Sequence, residues 1–274
     1  TFTTTQMDFV NTIQIYNSYR TQHGIPYPDE IREIRSHYAL SASKMSKILG
    51  FGDNQYRLYE NGEMPNIGNG RVLKAIQDPQ TFETFVNAAR DILSNEEYAK
   101  IKKHLEEYEK KSFADKFISN LIFDGSCRSK YNGYAMLSVS KLKNVILFFI
   151  EKFEGVFVTQ MNKLLFYTDF LSYREHGQAM TGLMFKAIQR GPVPNRWDRV
   201  YGLLDDIFQV EVEFKNGSVG NRLVSDISCD LSCFSKEQLE ILEKVYDTFK
   251  NDNATSISCK SHEELAWIEN NELH

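Results

Sequence analysis

Leu40-Ser41-Ala42-Ser43-Lys44-Met45-Ser46-Lys47-Ile48-Leu49-Gly50-Phe51-Gly52-Asp53-Asn54-Gln55-Tyr56-Arg57-Leu58-Tyr59-Glu60-Asn61-Gly62 is the stretch whose reading decides the fold of the N-terminal part. Ser41 has the side-chain oxygen that caps a helix start. Met45, Ile48 and Leu49 recur at helical spacing and give that helix an inner face. Gly50 breaks it, because a sharp turn favours a residue without a Cβ. A second helix follows and stops at Asn61-Gly62. The spacing therefore predicts helix, tight break, helix.

This stretch resembles the XRE (lambda-repressor-like) helix-turn-helix family, including its Tyr59-Glu60-Asn61-Gly62 ending. More narrowly it is similar to the helix-turn-helix of MqsA-type antitoxins, whose lead-in is matched here by Tyr19-Arg20, His23-Gly24, Pro28, Glu30-Ile31 and Arg35. The likeness covers about residues 16–93. In such a module the second helix enters the major groove and offers its N-terminal residues to base edges. Here these are Asp53, Asn54 and Gln55, and Asn54 and Gln55 carry the amides suited to bidentate contact with adenine. Lys44, Lys47 and Arg57 are placed to meet phosphates, which position a protein without specifying sequence. Against this, Asp53 would repel phosphate and Leu58 offers nothing to a base edge. Residues 1–93 hold nine Lys and Arg against ten Asp and Glu. A helix-turn-helix retained only for protein contacts is the competing reading.

Working outward, residues 8–27 form a helix that His23-Gly24-Ile25-Pro26 ends. Pro28-Asp29-Glu30 opens the next, with acids in its first turn, where they complement the helix N-terminus. Residues 29–76 read as short helices with tight breaks. Downstream, Glu96 to Lys111 is almost all charge, with Glu96–Lys100, Glu106–Lys110 and Glu107–Lys111 at the favourable i,i+4 spacing. Tyr98, Ile101, Leu105 and Tyr108 make one narrow apolar stripe. A charged connecting helix over 94–112 is expected, with a solvated face.

Gly125, Asn132 and Gly133 punctuate residues 113–137, where loops and short turns are expected. Ser138–Phe153 reads as a very apolar helix. Thr159–His176 reads as another, capped by Thr159 and stopped by Gly177. Met180–Gln189 is short and strand-like, Gly191-Pro192-Val193-Pro194 reads as a rigid turn, and Asn195 is expected to cap a helix through Asp206. Val210, Val212 and Phe214 alternate with Glu211, Glu213 and Lys215 and lead into Asn216-Gly217, a hairpin signal that predicts a tight primed turn. Ser235-Lys236-Glu237-Gln238 is a capping box that opens an amphipathic helix with Leu239, Leu242, Val245, Tyr246 and Phe249.

Within this second half, Asn162 to Phe170, Gly177, Thr181-Gly182, Phe185-Lys186-Ala187-Ile188 and Arg190 to Pro194 resemble the Panacea (SocA-like) domain. Leu231-Ser232, Phe234-Ser235, Leu239, Ser261-His262-Glu263-Glu264 and Trp267 extend the likeness over about 138–270. In that family the domain neutralises a toxin protein and pairs with varied upstream modules, this type of helix-turn-helix among them. The residues by themselves have a simpler reading, with Leu164, Leu165, Phe166 and Phe170 as core. Exposed Tyr167, Asp169, Tyr173 and Arg190 are the candidate partner-binding residues, since Tyr and Arg are favoured in interface hot spots.

The composition leaves room for this reading. The chain has 274 residues, two-domain size, with 42% hydrophobic and 25% charged residues and a formal net charge of −5. That balance excludes wholesale disorder and blanket basicity, so nucleic-acid contact would be local. The longest apolar run, Val145 to Ile150, is far short of the roughly 20 residues of a membrane span. The start shows neither the basic nor the apolar segment of a signal peptide. Cys127, Cys229, Cys233 and Cys259 show no disulfide framework, so free thiols in a cytoplasmic protein are expected. Cys229 and Cys233 with Cys259 and His262 could make a zinc set on paper, but the paired knuckles of structural zinc sites are missing. His262-Glu263 lacks the second His of a zinc helix, which would fall at Ala266. No phosphate loop and no nucleophile elbow occurs, so no metal, no cofactor and no catalysis are expected.

The fold expected is mainly α. A lambda-repressor-like helix-turn-helix bundle over 1–93 is followed by the connecting helix 94–112 and an α+β domain over 113–274, made of helices with a small antiparallel sheet or hairpin. The resemblances imply an antitoxin that binds a cognate toxin through the C-terminal domain. They also imply that it binds operator DNA as a homodimer through the N-terminal one. A phage-type transcriptional regulator with a C-terminal oligomerisation or sensing domain, or a proteolytic adaptor, are the alternatives.

Overall fold

The computed structural model describes residues 4–271, and for 108–116 the backbone only. Cα packing divides the chain into two compact units, Thr12–Lys116 and Phe117–His274, the second also counting residues up to Asn11. The architecture is mainly helical with small antiparallel sheets.

The first unit contains most of helix α1 (Thr5–His23), then α2 (Pro28–His37), α3 (Ala42–Ile48), α4 (Gln55–Glu60), α5 (Ile67–Ala75), α6 (Pro79–Ala88) and the first part of α7 (Asn95–Ile122). Local chemistry sets the starts. Pro28 takes the first helical position of α2, where its missing N–H is not needed. The side chains of Ser41, Asn66 and Asp78 accept from Lys44 N, Asn69 N and Thr81 N, satisfying donors that no helical carbonyl reaches. The core joins Ile31, Ile34, Met45, Ile48, Tyr56 and Phe82, with Ile101 and Leu105 of α7. Tyr38 stacks on Phe82 with ring centroids 4.0 Å apart.

Helix α7 is longer than the connecting helix read from charge. It runs 28 residues to Ile122, so 113–122 is helical rather than loop. No Gly or Pro interrupts the chain before Gly125, and Ile118 and Ile122 recur at helical spacing and join the second unit's core. The pairs Glu106–Lys110 and Glu107–Lys111, the side chain of Tyr108 and the chain's first three residues lie outside the described residues.

The second unit continues with α8 (Val139–Lys152), β1 (Val156–Phe157), α9 (Val158–His176), β2 (Phe185–Ile188), β3 (Gly191–Pro194), α10 (Trp197–Leu203), β4 (Phe208–Glu213), β5 (Val219–Val224), α11 (Lys236–Phe249), α12 (Ala254–Ser261) and α13 (Leu265–Ile268). Ser138 caps α8, and the expected capping box of Ser235 and Gln238 opens α11. Its core draws Leu142, Phe149, Leu164, Leu165, Leu242 and Ile257 from α8, α9, α11 and α12. Helix α9 is buried on almost every side, polar residues included, which is the mark of an interior helix.

Three local expectations change. Phe157, not Thr159, holds the cap position of α9, because β1 runs straight into the helix; Gly177 does end it, at φ +70°. Gly191–Pro194 is not a turn but β3, paired antiparallel with β2 (Ala187 with Pro192, Phe185 with Pro194) and buried throughout. Pro192 and Pro194 lie two apart, so both can turn their donorless nitrogens away from β2. Asn195 does not cap the next helix: its N–H donates to Met184 O, Arg196 takes the cap position at φ +68°, and α10 ends at Leu203.

The hairpin of β4 and β5 forms in the register of Val210 with Arg222, and the sheet order is β1-β5-β4. Its turn is wider than a two-residue primed turn. Phe214 N donates to Ser218 O and Gly217 N to Phe214 O, so Lys215, Asn216 and Gly217 form a three-residue loop with positive φ at Gly217 alone.

Candidate functional site

In the first unit, α3, the break at Gly50 (φ +68°) and α4 follow one another as read from sequence. Asn54 precedes α4 in the left-handed region, at φ +62°, which Asn tolerates better than most residues. Lys47, Asn54 and Arg57 are exposed, as is Leu58. Lys44 and Gln55 are already engaged. Lys44 Nζ lies 2.9 Å from Glu97 Oε1 on α7, and Gln55 Nε2 donates to Glu63 Oε1 at 3.1 Å. The Lys44 cation and its hydrogen bond hold the Glu97 carboxyl below its usual range.

The Tyr59-Glu60-Asn61-Gly62 ending is structural. Glu60 is buried and takes Arg35 Nε at 2.6 Å, while Arg32 donates to its carbonyl at 2.7 Å. Asn69 Nδ2 donates to Tyr59 Oη, and Arg20 donates to Gly62 O at 2.9 Å. Tyr56 Oη donates to Ile31 O at 2.7 Å, and burial pushes its phenol far above the ordinary range. These bonds fix α4 against α2, while Arg57 and Leu58 stay exposed.

In the second unit, α9 carries the chemistry. Asp169 is not the exposed residue read from sequence; it is 3% exposed. The helix faces protein on the side where period alone suggests solvent. Its Oδ1 accepts from Met180 N at 2.9 Å and Thr181 N at 2.7 Å, and its Oδ2 accepts from the Thr181 hydroxyl at 2.5 Å. Burial pushes this carboxyl up to about 6, and those hydrogen bonds limit the rise. Asp169 thus ties the 180–181 turn to α9.

Lys163, one turn and a half earlier, is fully buried and donates to Pro192 O at 3.0 Å. Burial lowers its ammonium to about 8. Beside it, Gly191 at φ +91° leaves no space for a side chain, since a Cβ would lie 2.7 Å from Lys163 Cε and 2.6 Å from Ser261 Oγ. His262 stacks on Trp267 at 4.1 Å, and Trp267 Nε1 donates to Ile188 O. Burial and the nearby Lys163 charge lower the His262 pKa. Sequence reading did not find this Lys163–Gly191–His262 cluster; the only signal was a lysine amid apolar residues.

The remaining candidates separate. Tyr167 is half-buried, its ring 4.4 Å from Phe249, and burial with the acids Glu264 and Glu263 pushes its phenol up. Arg190 is exposed between β2 and β3. Tyr173 lines a cleft of about 190 Å³ with Tyr131, Gly133, Phe170, Leu183 and Phe185, and Asp169 and Lys130 also reach it. Only Tyr173 and Asp169 of the four are brought to one place. Among the described residues no three His, Cys, Asp or Glu are grouped to hold a metal ion, and no helix is long and apolar enough to cross a membrane.

Residues 161–268, from within α9 through α13, match the family model described as antitoxin SocA-like, Panacea domain. The match suggests a toxin–antitoxin role and implies, in general terms, a toxin partner. No curated protein and no solved structure matches the chain.

Proposed function

We propose that this chain is the antitoxin of a toxin–antitoxin pair, which neutralises a cognate toxin by direct binding through its second unit and represses its own operon through α3 and α4. The observation that carries the reading is the antitoxin-domain match over 161–268. Neutralisation by binding needs no catalytic step. Co-expression of the full chain with the protein encoded beside it should restore growth that the neighbour alone arrests. Continued arrest with a folded, expressed chain would contradict the reading.

DNA contact is the finer part. Its support is the exposure of Lys47 on α3, Asn54 at the start of α4 and Arg57 on α4, residue types that meet phosphates and adenine. Such modules read two half-sites as dimers, so a homodimer through the first unit belongs to the proposal. A gel shift with the upstream region of its operon should show binding at low salt that weakens steeply as salt rises, because phosphate contacts release counterions. Arg57→Ala should weaken it across all sequences. No shift at low salt would remove DNA from the proposal.

A further inference from the structure

The β4–β5 hairpin has its apolar side turned the wrong way for a core. Residues directly opposite in an antiparallel pair share a face. Gln209 pairs with Leu223, Glu211 with Asn221 and Glu213 with Val219. Leu223 is fully buried, so the acidic residues of β4 lie on the core side of the sheet. Phe208, Val210, Val212 and Phe214 lie on the other side, where Phe214 packs on Phe157 with ring centroids 5.3 Å apart. There Phe208 is 51%, Val210 47% and Phe214 42% exposed. A contiguous exposed apolar face of this kind marks an interaction surface.

The same strand has an open edge. In the order β1-β5-β4, no described strand lies beyond β4. Phe214 N donates to Ser218 O. Counting back by twos from that pair, residues 212, 210 and 208 exchange bonds with β5, and the N–H and C=O groups of Gln209, Glu211 and Glu213 point outward. Leu223 then turns its own groups towards Val156 of β1, as the observed pairing requires. An edge of unpaired donors and acceptors is a template for another strand.

We propose that a strand of the toxin adds to the open edge of β4, with basic residues opposite Glu211 and Glu213 and apolar residues alternating beside Phe208, Val210 and Val212. This rests on the reading of the second unit as toxin-binding. Charge decides the occupant. No ion pair engages Glu211 or Glu213 among the described residues, so a Lys or Arg across the new ladder has a free partner. Self-pairing of β4 centred on Glu211 or on Val212 is disfavoured, because it sets Glu211 against its own copy or against Glu213, and like charges directly opposite destabilise a sheet. The mode is strand addition, in which the main chain supplies affinity and alternate side chains supply specificity.

The test uses the full chain and the purified protein encoded beside it. Glu211→Pro removes an outward N–H that β5 does not use, a position at which an edge strand accepts proline. Glu211→Lys/Glu213→Lys keeps the backbone and reverses the charge, so it serves should the proline variant fail to fold. With wild-type binding established by calorimetry, both variants should bind at least tenfold more weakly, the lysine pair with its loss reduced by salt. Binding within twofold of wild type for the folded variants would overturn the edge while leaving the antitoxin reading intact. Absence of wild-type binding would overturn both. A dimer of the chain that Glu211→Pro dissociates would give the edge to a second copy and overturn the toxin strand.

Discussion

Asp169→Ala is expected to destabilise the second unit by about 2–4 kcal/mol, because it leaves buried donors with no acceptor. The carboxylate takes two backbone N–H groups, of Met180 and Thr181, and the Thr181 hydroxyl. Relief from burying a charge offsets only part of that loss. Asp169→Asn should cost less, since its amide oxygen can still accept the two N–H groups. The pair of variants also carries a pH signature. The folded carboxyl sits near 6, above its usual 3.8, so the folded state holds a proton that the unfolded state has released between these values. Relative to Asp169→Asn, the wild type should therefore lose stability as pH rises from about 4 to about 6, and change no further above. Urea midpoints at pH 4 and pH 7 for both proteins measure it. Parallel pH dependence would show that Asp169 is not buried in this way.

Gly191→Ala has the second large effect, about 2–5 kcal/mol. A positive-φ conformation strains any residue with a Cβ by roughly 1–3 kcal/mol, and overpacking adds about 1–3 kcal/mol. Here the new methyl meets Ser261 Oγ and Lys163 Cε, both of buried residues, at under 3 Å. Gly217 supplies the control: its φ is +76°, yet nothing lies within 4 Å of the point a Cβ would occupy. Gly217→Ala should thus show the strain alone. Thermal unfolding of the two variants separates the terms, and equal small shifts would mean that Lys163 and Ser261 yield to the new methyl at little cost.

Those two residues also show where sequence reading stopped. Helix starts and stops were legible because their causes are local: Ser41 and Ser235 cap, Gly50 and Gly177 turn left-handed, and the alternation over 210–215 signals the strand β4. Lys163 and Asp169 were not legible, because a charged residue on a helix suggests solvent unless the neighbours on every side are known. Gly191–Pro194 suggested a turn, since Gly and Pro favour turns; its pairing with β2 and the Lys163 bond to Pro192 O are long-range facts. The end of α7 was missed because charge composition stopped at 112 while helical spacing continued to Ile122. Of the candidate DNA contacts, Lys44 was placed on the right helix, but its ion pair with Glu97 depends on the return of α7.

The central claim is that the second unit holds a toxin by direct contact. Its most direct test is calorimetric titration of the full chain with the purified protein encoded beside it. A saturable complex is predicted, with micromolar or tighter affinity, unchanged by Arg57→Ala. No complex at micromolar concentration, or one that Arg57→Ala removes, would contradict the account.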